Sequence, residues 1–354
     1  MRAIVKATVL CSLLVLLGTV LRGERPPAPL QSEQLERANL DVERQLELGL
    51  SAHLQWSDIN DAQRVELLDK AKAAGSLWVR FEVGWHQLEP TQAARSRWFV
   101  DRMDVVVAAA QARGLKLLPM VWGTPRWANS NQSPNHAPAD PQRYGDILGW
   151  LATRYRGRIS AWELWNEPTA PEFLADNRAA VYVPMLRAGY LAVKAADPGA
   201  LVVQAAPPYN NEVWLTQTYD AGARGYFDVL ATHPYMDPRD APPESPDTGP
   251  RTMRHVSAVH DRMVERGDGN KPIWFTEFGW STHARPGGVS EAAQADYLIR
   301  ALRLLRAEYP YVKVAIVYQE RDAALGNIQQ DNYGLLRRDW SEKPAYRALA
   351  NEAG

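Results

Sequence analysis

In the stretch "WELWNEPTAPEF" an apolar, aromatic run breaks off at Asn166, Glu167 and Pro168, with a second acid, Glu163, inside the run. Another acid, Glu277, ends a similar run 110 residues further on, in "WFTEFGWST". A carboxyl group at the end of a buried segment is costly unless it is paired or put to use. Two carboxyls facing each other across a cleft can cleave an acetal: one attacks the carbon, while the other protonates the leaving oxygen and later activates water. Polar residues end further apolar runs: Arg80 and then Glu82 in "LWVRFEV", His233 and Tyr235 around "HPY", and the series Tyr318, Gln319 and Glu320. The acids divide by position. Two strand steps pair Glu163 with Trp165 and set it deeper, which predicts a structural partner such as an interior arginine, whereas Glu167 falls at the mouth. An arginine inside an apolar strand, as Arg80 is, demands a carboxylate partner.

The elements that must position these groups recur regularly. Short apolar runs lie at 48–54, 77–83, 115–122, 159–165, 200–206, 227–233, 272–277 and 312–318. Segments of helical period separate them at 61–74, 98–113, 141–156, 177–196, 252–266 and 289–308, with a weaker one at 210–221 and a last one at 343–350. Alternation of short buried strands with helices predicts a parallel sheet built from βαβ units. Eight such units predict an α/β fold of the closed (β/α)8 type. A doubly wound sheet is the alternative, but nothing like GxGxxG follows the first strand. The strand-to-helix connections are long and irregular, while several helix-to-strand connections are tight and pivot on glycine, as in "AAGS" and "ARGL". That asymmetry predicts one functional face, at the C-terminal ends of the strands. Glutamates on the fourth and seventh strands would point across this mouth, at about 5–5.5 Å, the separation that retaining glycosidases use. The 13 tryptophans against 6 phenylalanines suit it too, because the C–H faces of sugar rings pack on aromatic rings.

"WNEP" ending the fourth strand, "HPY" ending the sixth and "TEFGW" ending the seventh resemble the clan of retaining glycoside hydrolases with (β/α)8 barrels. "WVRFEVGWHQLEP", "VWGTPRWA" and "GLLRRDWSEKPAYRAL" look most like families 39 and 5, in particular the endoglycosidases associated with bacterial exopolysaccharides. The resemblance runs from about residue 48 to 350. It implies a retaining β-glycoside hydrolase with Glu167 as general acid/base and Glu277 as nucleophile. Asn166 would bond the sugar 2-hydroxyl, and Arg80 and Tyr235 would hold Glu277 ionised. His233 would bind sugar or support its neighbours. Trp122, Trp127, Trp165 and Trp280 would be sugar platforms, and Tyr318 stands where the clan often has a tryptophan. The expected partner is a poly- or oligosaccharide, and the expected protein is a monomer with no cofactor and no metal. A carbohydrate-binding component without catalysis, and a transglycosylase using the same site, are the alternatives.

Composition narrows the remaining classes. Lys plus Arg (40) and Asp plus Glu (41) nearly cancel, so no basic stripe argues for nucleic acid. The seven histidines include no HxH or HExxH pairing, and no GxSxG elbow is present. Arg2 and Lys6 precede an uncharged run over 7–21, followed by Arg22 and a Pro-rich stretch. Residues 1–30 therefore read as a signal peptide or signal-anchor with linker, the sole contact with a membrane, and 31–354 as the barrel domain. An extracytoplasmic location is expected. The single cysteine, Cys11, lies within that apolar run as filler, because the run continues ten residues past it, which excludes a lipidation site. A surface helix is expected over 31–47.

Overall fold

The computed structural model describes residues 46–353. The N-terminal segment 1–30 and nearly all of the helix expected at 31–47 lie outside the described residues. The end of that helix is replaced by strand, since Glu47 opens β1. Eight parallel strands close into a barrel in sequential order: β1 (Glu47–Ser51), β2 (Trp78–Gly84), β3 (Lys116–Trp122), β4 (Ala161–Leu164), β5 (Leu201–Gln204), β6 (Val229–Thr232), β7 (Ile273–Phe278) and β8 (Val312–Val317). Closure rules out the doubly wound alternative, because β8 pairs with β1 from Glu47↔Val314 to Leu50↔Val317. Each strand matches one of the apolar runs with its ends shifted: most are shorter than the run, while β1 starts one residue before its run and β2 and β7 end one residue past theirs. The longest ladder, Trp78↔Lys116 to Gly84↔Trp122, joins β2 to β3 and sets Arg80 level with Leu118.

The helices are α1 (Asp61–Ala73), α2 (Trp85–Leu88), α3 (Arg97–Ala112), α4 (Gln142–Arg154), α5 (Ala179–Ala196), α6 (Glu212–Asp220), α7 (Val256–Glu265), α8 (Glu291–Glu308) and α9 (Pro344–Ala353). Their starts are chemically marked. Asn60 and Gln63 form a reciprocal capping box on α1, and the Ser96 and Ser290 hydroxyls accept from the Phe99 and Ala293 amides at the heads of α3 and α8. The single turn α2 has no counterpart in the sequence reading, because four residues are too few to show a helical period. No helix among the described residues is long and apolar enough to cross a membrane.

Inside the barrel, side chains from alternate positions fill successive layers. The lowest is partly polar: the Trp78 indole N–H donates to Glu47 at 2.5 Å, and Lys116 pairs with Glu47 at 2.9 Å. Above it Trp78 and Trp274 pack at a centroid distance of 4.7 Å among Leu118, Ala161, Val203 and Val314. The space left for β1 here is so small that a Cβ on Gly49 would stand 2.8 Å from Ile316 and 3.0 Å from Trp78. The dry plug supports the polar layer at the mouth. The asymmetry of the connections holds as well: β3 to α4, β6 to α7 and β8 to α9 are the long crossings, all at the C-terminal ends.

Candidate active site

Arg80 is the hub of the mouth. From the middle of β2 its buried guanidinium donates through Nε to Glu163 at 2.6 Å, through Nη1 to Glu277 at 2.6 Å and through Nη2 to the Asn166 side-chain oxygen at 2.8 Å. Three donors in a rigid fork thus tie β2 to β4 and β7, which a lysine's single ammonium could not do with the same geometry. Glu163 is the structural partner anticipated for an interior arginine. Its second oxygen accepts from the Thr276 hydroxyl at 2.9 Å, so both oxygens are satisfied below the mouth.

Glu277 stands at the end of β7 with Oε1 on Arg80 and Oε2 accepting from the Tyr235 hydroxyl at 2.9 Å. Burial alone would raise its pKa. The nearby His233 and Arg80 charges and the Tyr235 hydrogen bond outweigh burial and hold the carboxyl below its ordinary value. Glu277 is therefore ionised at neutral pH.

Glu167 is placed by an unusual chain path. Trp165 and Glu167 have φ of 87° and 37°, both in the left-handed region that side-chain-bearing residues rarely adopt. The bend is held from below: the Trp165 amide donates to the Val121 carbonyl at 3.0 Å, and its indole N–H to the Phe173 carbonyl at 3.0 Å. Strain of this kind persists where the surroundings over-determine it, and here it lifts Glu167 off the strand line toward β6 and β7. His233 meets it: Nδ1 lies 2.9 Å from Glu167 and Nε2 lies 3.1 Å from the Thr276 oxygen. The single Thr276 proton goes to Glu163, so Nε2 carries a proton and donates to Thr276. Nδ1 then shares one proton with Glu167. Burial disfavours the charged form of His233, but Glu277 and Glu167 outweigh it and raise the pKa. His233 is fully buried, which assigns it to support of the carboxyls and leaves it no surface for a sugar.

One donor atom each from Glu167, His233 and Glu277 lies within 4.8 Å of the others. Such a trio can hold a divalent ion, but the Arg80 guanidinium 2.6 Å from Glu277 would repel one, so the set fits proton transfer better.

The aromatic residues divide. Trp122 and Tyr318 line a cavity of about 930 Å³ over the ends of β8, β1, β2, β3 and β4. Neither mouth carboxyl lines it, and it adjoins them through Tyr318, whose ring lies 6.4 Å from that of Tyr235, the hydrogen-bond partner of Glu277. Trp165 and Trp280 do not line this cavity: they are 0% and 2% exposed and pack among core aromatics, with the Trp280 indole bound to the Ala241 carbonyl. As sugar platforms both are corrected to packing residues, because a ring enclosed on both faces has none to offer. Trp127 is half-buried, stands edge-on to Trp85 and donates to the Glu89 carbonyl at 2.9 Å; it braces the loop after β3 and does not itself line the cavity.

Sequence reasoning assigned no role to His53, which follows β1 beside Trp56, one of the tryptophans that accompany the strand ends. His53 meets Glu82 at 2.6 Å through Nδ1 and Gln319 through Nε2, donates its backbone amide to Glu320 at 3.0 Å, and stacks on Trp56 at 3.8 Å. Glu82 and Glu320, left open by the sequence, are its partners, while Glu89 anchors a loop through Trp85 and Ala93. Burial opposes the imidazolium, yet Glu82 and Glu320 prevail and raise His53 to about 9. The signal available was "SAHLQW" at the end of the first strand, a histidine three residues from a tryptophan at the functional face.

The family model for cellulase (glycosyl hydrolase family 5) matches residues 42–310, most of the barrel. The chain belongs to glycosyl hydrolase family 5. As a family 5 member it has a (β/α)8 barrel shared with solved structures of families 5 and 39. A family 39 glycoside hydrolase from the gut symbiont Bacteroides cellulosilyticus WH2 superposes with a TM-score of 0.69 at 23% identity, over 88% of this chain and 64% of the other. The GH5_18 protein of Streptomyces cattleya, solved with GlcNAc, gives 0.67 at 19% identity over 87% and 80%. A monomeric β-xylosidase from Caulobacter crescentus CB15 gives 0.64 at 19% over 87% and 67%. At these identities the likeness bears on the fold, and this family 5 chain spans less than two thirds of the first of the three. No curated protein matches the sequence.

Proposed function

We propose that this family 5 chain is a retaining β-glycoside hydrolase acting on a poly- or oligosaccharide, with a bacterial exopolysaccharide as the natural substrate. The observation that carries the reading is the approach of Glu167 and Glu277 to within 4.8 Å at their nearest oxygens. That leaves no room for the water an inverting pair holds between carboxyls about 6.5–9.5 Å apart, and suits direct attack on the sugar.

In the first step an ionised Glu277 oxygen attacks the anomeric carbon while Glu167 gives its proton to the departing oxygen. The glycosidic C–O bond breaks and the aglycone leaves as an alcohol. Arg80 and Tyr235 fix the attacking carboxylate, and Asn166, oriented by Arg80, faces the sugar 2-hydroxyl. In the second step Glu167 takes a proton from water, the water oxygen attacks the same carbon, and Glu277 departs as carboxylate. His233, sharing its Nδ1 proton with Glu167, steadies that residue in both states. The N-terminal segment supports an extracytoplasmic place of action, tested by sizing the mature protein and by cell fractionation.

Proton NMR of the first product formed from a β-linked substrate tests the mechanism. The β anomer is expected before mutarotation; initial release of the α anomer would rule out the two-step route. A protein that binds glycans yet frees no reducing ends from a broad panel would be the carbohydrate-binding component instead.

A further inference from the structure

The cavity is far larger than one sugar, and its lining extends from Tyr318, next to the Tyr235 that holds Glu277, to the head of α3. Its inner end is formed by Tyr318, whose ring lies edge-on to Tyr235 at 6.4 Å, and by Glu82. Its outer end reaches Trp98, the second residue of α3, which is 50% exposed. Between them lie Trp56 and the Trp122–Phe173 pair, edge to face at 5.3 Å. Pockets of about 300–1,000 Å³ enclose drug-sized ligands, so this volume takes several linked sugar rings.

Trp98 presents a half-exposed indole at the head of α3, on the lining of the cavity. It is also held in place. Arg102, one helical turn further on, lies 3.4 Å from its ring centroid and covers one face as a cation–π partner. The pinned ring is left with its other face free at the cavity rim, and a pre-positioned aromatic surface binds at low entropic cost.

The charges on the lining indicate the ligand's chemistry. Asp58 pairs with Arg321 at 3.0 Å and Glu82 with His53 at 2.6 Å. The remaining charged side chains, Glu172 and Arg338, are opposite in sign. Such a channel neither attracts a polyanion nor compensates its charge.

We infer that Trp98 is a distal sugar platform and that the cleft binds a run of several residues of a neutral glycan, making the chain endo-acting and selective for chain length. This rests on the hydrolase reading above, and the test separates the two. Initial rates are measured for wild type, Trp98→Ala and the remote surface control Leu191→Ala on neutral cello-, manno- and xylo-oligosaccharides from disaccharide to hexasaccharide, with product lengths recorded. For the series that is cleaved, kcat/KM in the wild type and in Leu191→Ala should climb with length, with cuts at internal bonds. In Trp98→Ala the climb at the longest members should fall by about five- to tenfold, the worth of one aromatic stack. An unchanged length profile in Trp98→Ala, or release of single terminal sugars only, overturns the inference while hydrolysis stands. Absence of reducing ends from every series removes both.

Discussion

At the residue scale the site is a contest between burial and charge, decided by Arg80. Glu163 and Glu277 are buried acids that would be expensive alone, and one guanidinium serves both. Glu167 has no arginine and reaches instead to a histidine, and this difference in partners assigns the two mouth carboxyls different tasks. Glu167→Ala should therefore lower kcat on natural glycans by about 10²–10⁴-fold, the usual worth of a general acid. A dinitrophenyl glycoside, whose leaving group needs no proton, should still form the glycosyl-enzyme, and azide should speed its turnover. Loss of both substrates without azide rescue would count against the assignment.

His53 allows a second prediction at this scale. Its pKa in the folded chain, about 9, lies above the ordinary histidine value near 6.5. A raised pKa stabilises the fold fully below the unfolded value and loses that contribution as pH rises through the folded value. The interaction with Glu82 and Glu320 should add about 3 kcal/mol below pH 6.5, gone above about 9. Urea unfolding of the wild type against His53→Asn across this window should show the difference closing with rising pH. A constant gap would mean that packing against Trp56 and not charge is what His53 supplies.

At the element scale, two places show strands set by their neighbours. The end of β4 leaves the strand line at Trp165 because a buried indole bonded to Phe173 and an amide bonded to Val121 hold it there. β1 approaches β2 and β8 closely because Gly49 has no side chain. Gly49→Ala should cost about 1–3 kcal/mol, the usual range for overpacking, since its Cβ would meet a strand-bound Ile316 and the base of Trp78. Thermal or chemical unfolding measures it, and a neutral result would show that the barrel floor yields more than a packed layer should.

At the scale of the whole molecule, the formal net charge of −1 and a cleft with balanced charge leave little long-range field. Raising salt from about 0.05 M to about 0.5 M, which shortens the screening length severalfold, should change kcat/KM on a neutral glycan by less than about twofold. A steep salt dependence would point to a charged substrate. The barrel as a whole makes the site possible by bringing β4 and β7, far apart in sequence, to opposite sides of one mouth.

The barrel was legible in the sequence because eight buried strands separated by helices of sufficient length have few ways to close, and the apolar period is a local property. Glu167 and Glu277 were legible because a charged residue at the end of an apolar run needs a reason, and so was Arg80 as the partner such acids require. The fate of each tryptophan was not. Trp122, Trp165 and Trp280 are all aromatic residues near strand ends, and only their packing in three dimensions decided that Trp122 faces the cavity while the others are enclosed. The His53 cluster was hidden for the same reason: its members come from the ends of β1, β2 and β8, and only closure of β8 onto β1 brings Glu320 within reach of the His53 amide. Sequence carries the period and the price of each buried charge; the direction in which a side chain finally points is settled by the neighbours that the closed barrel supplies.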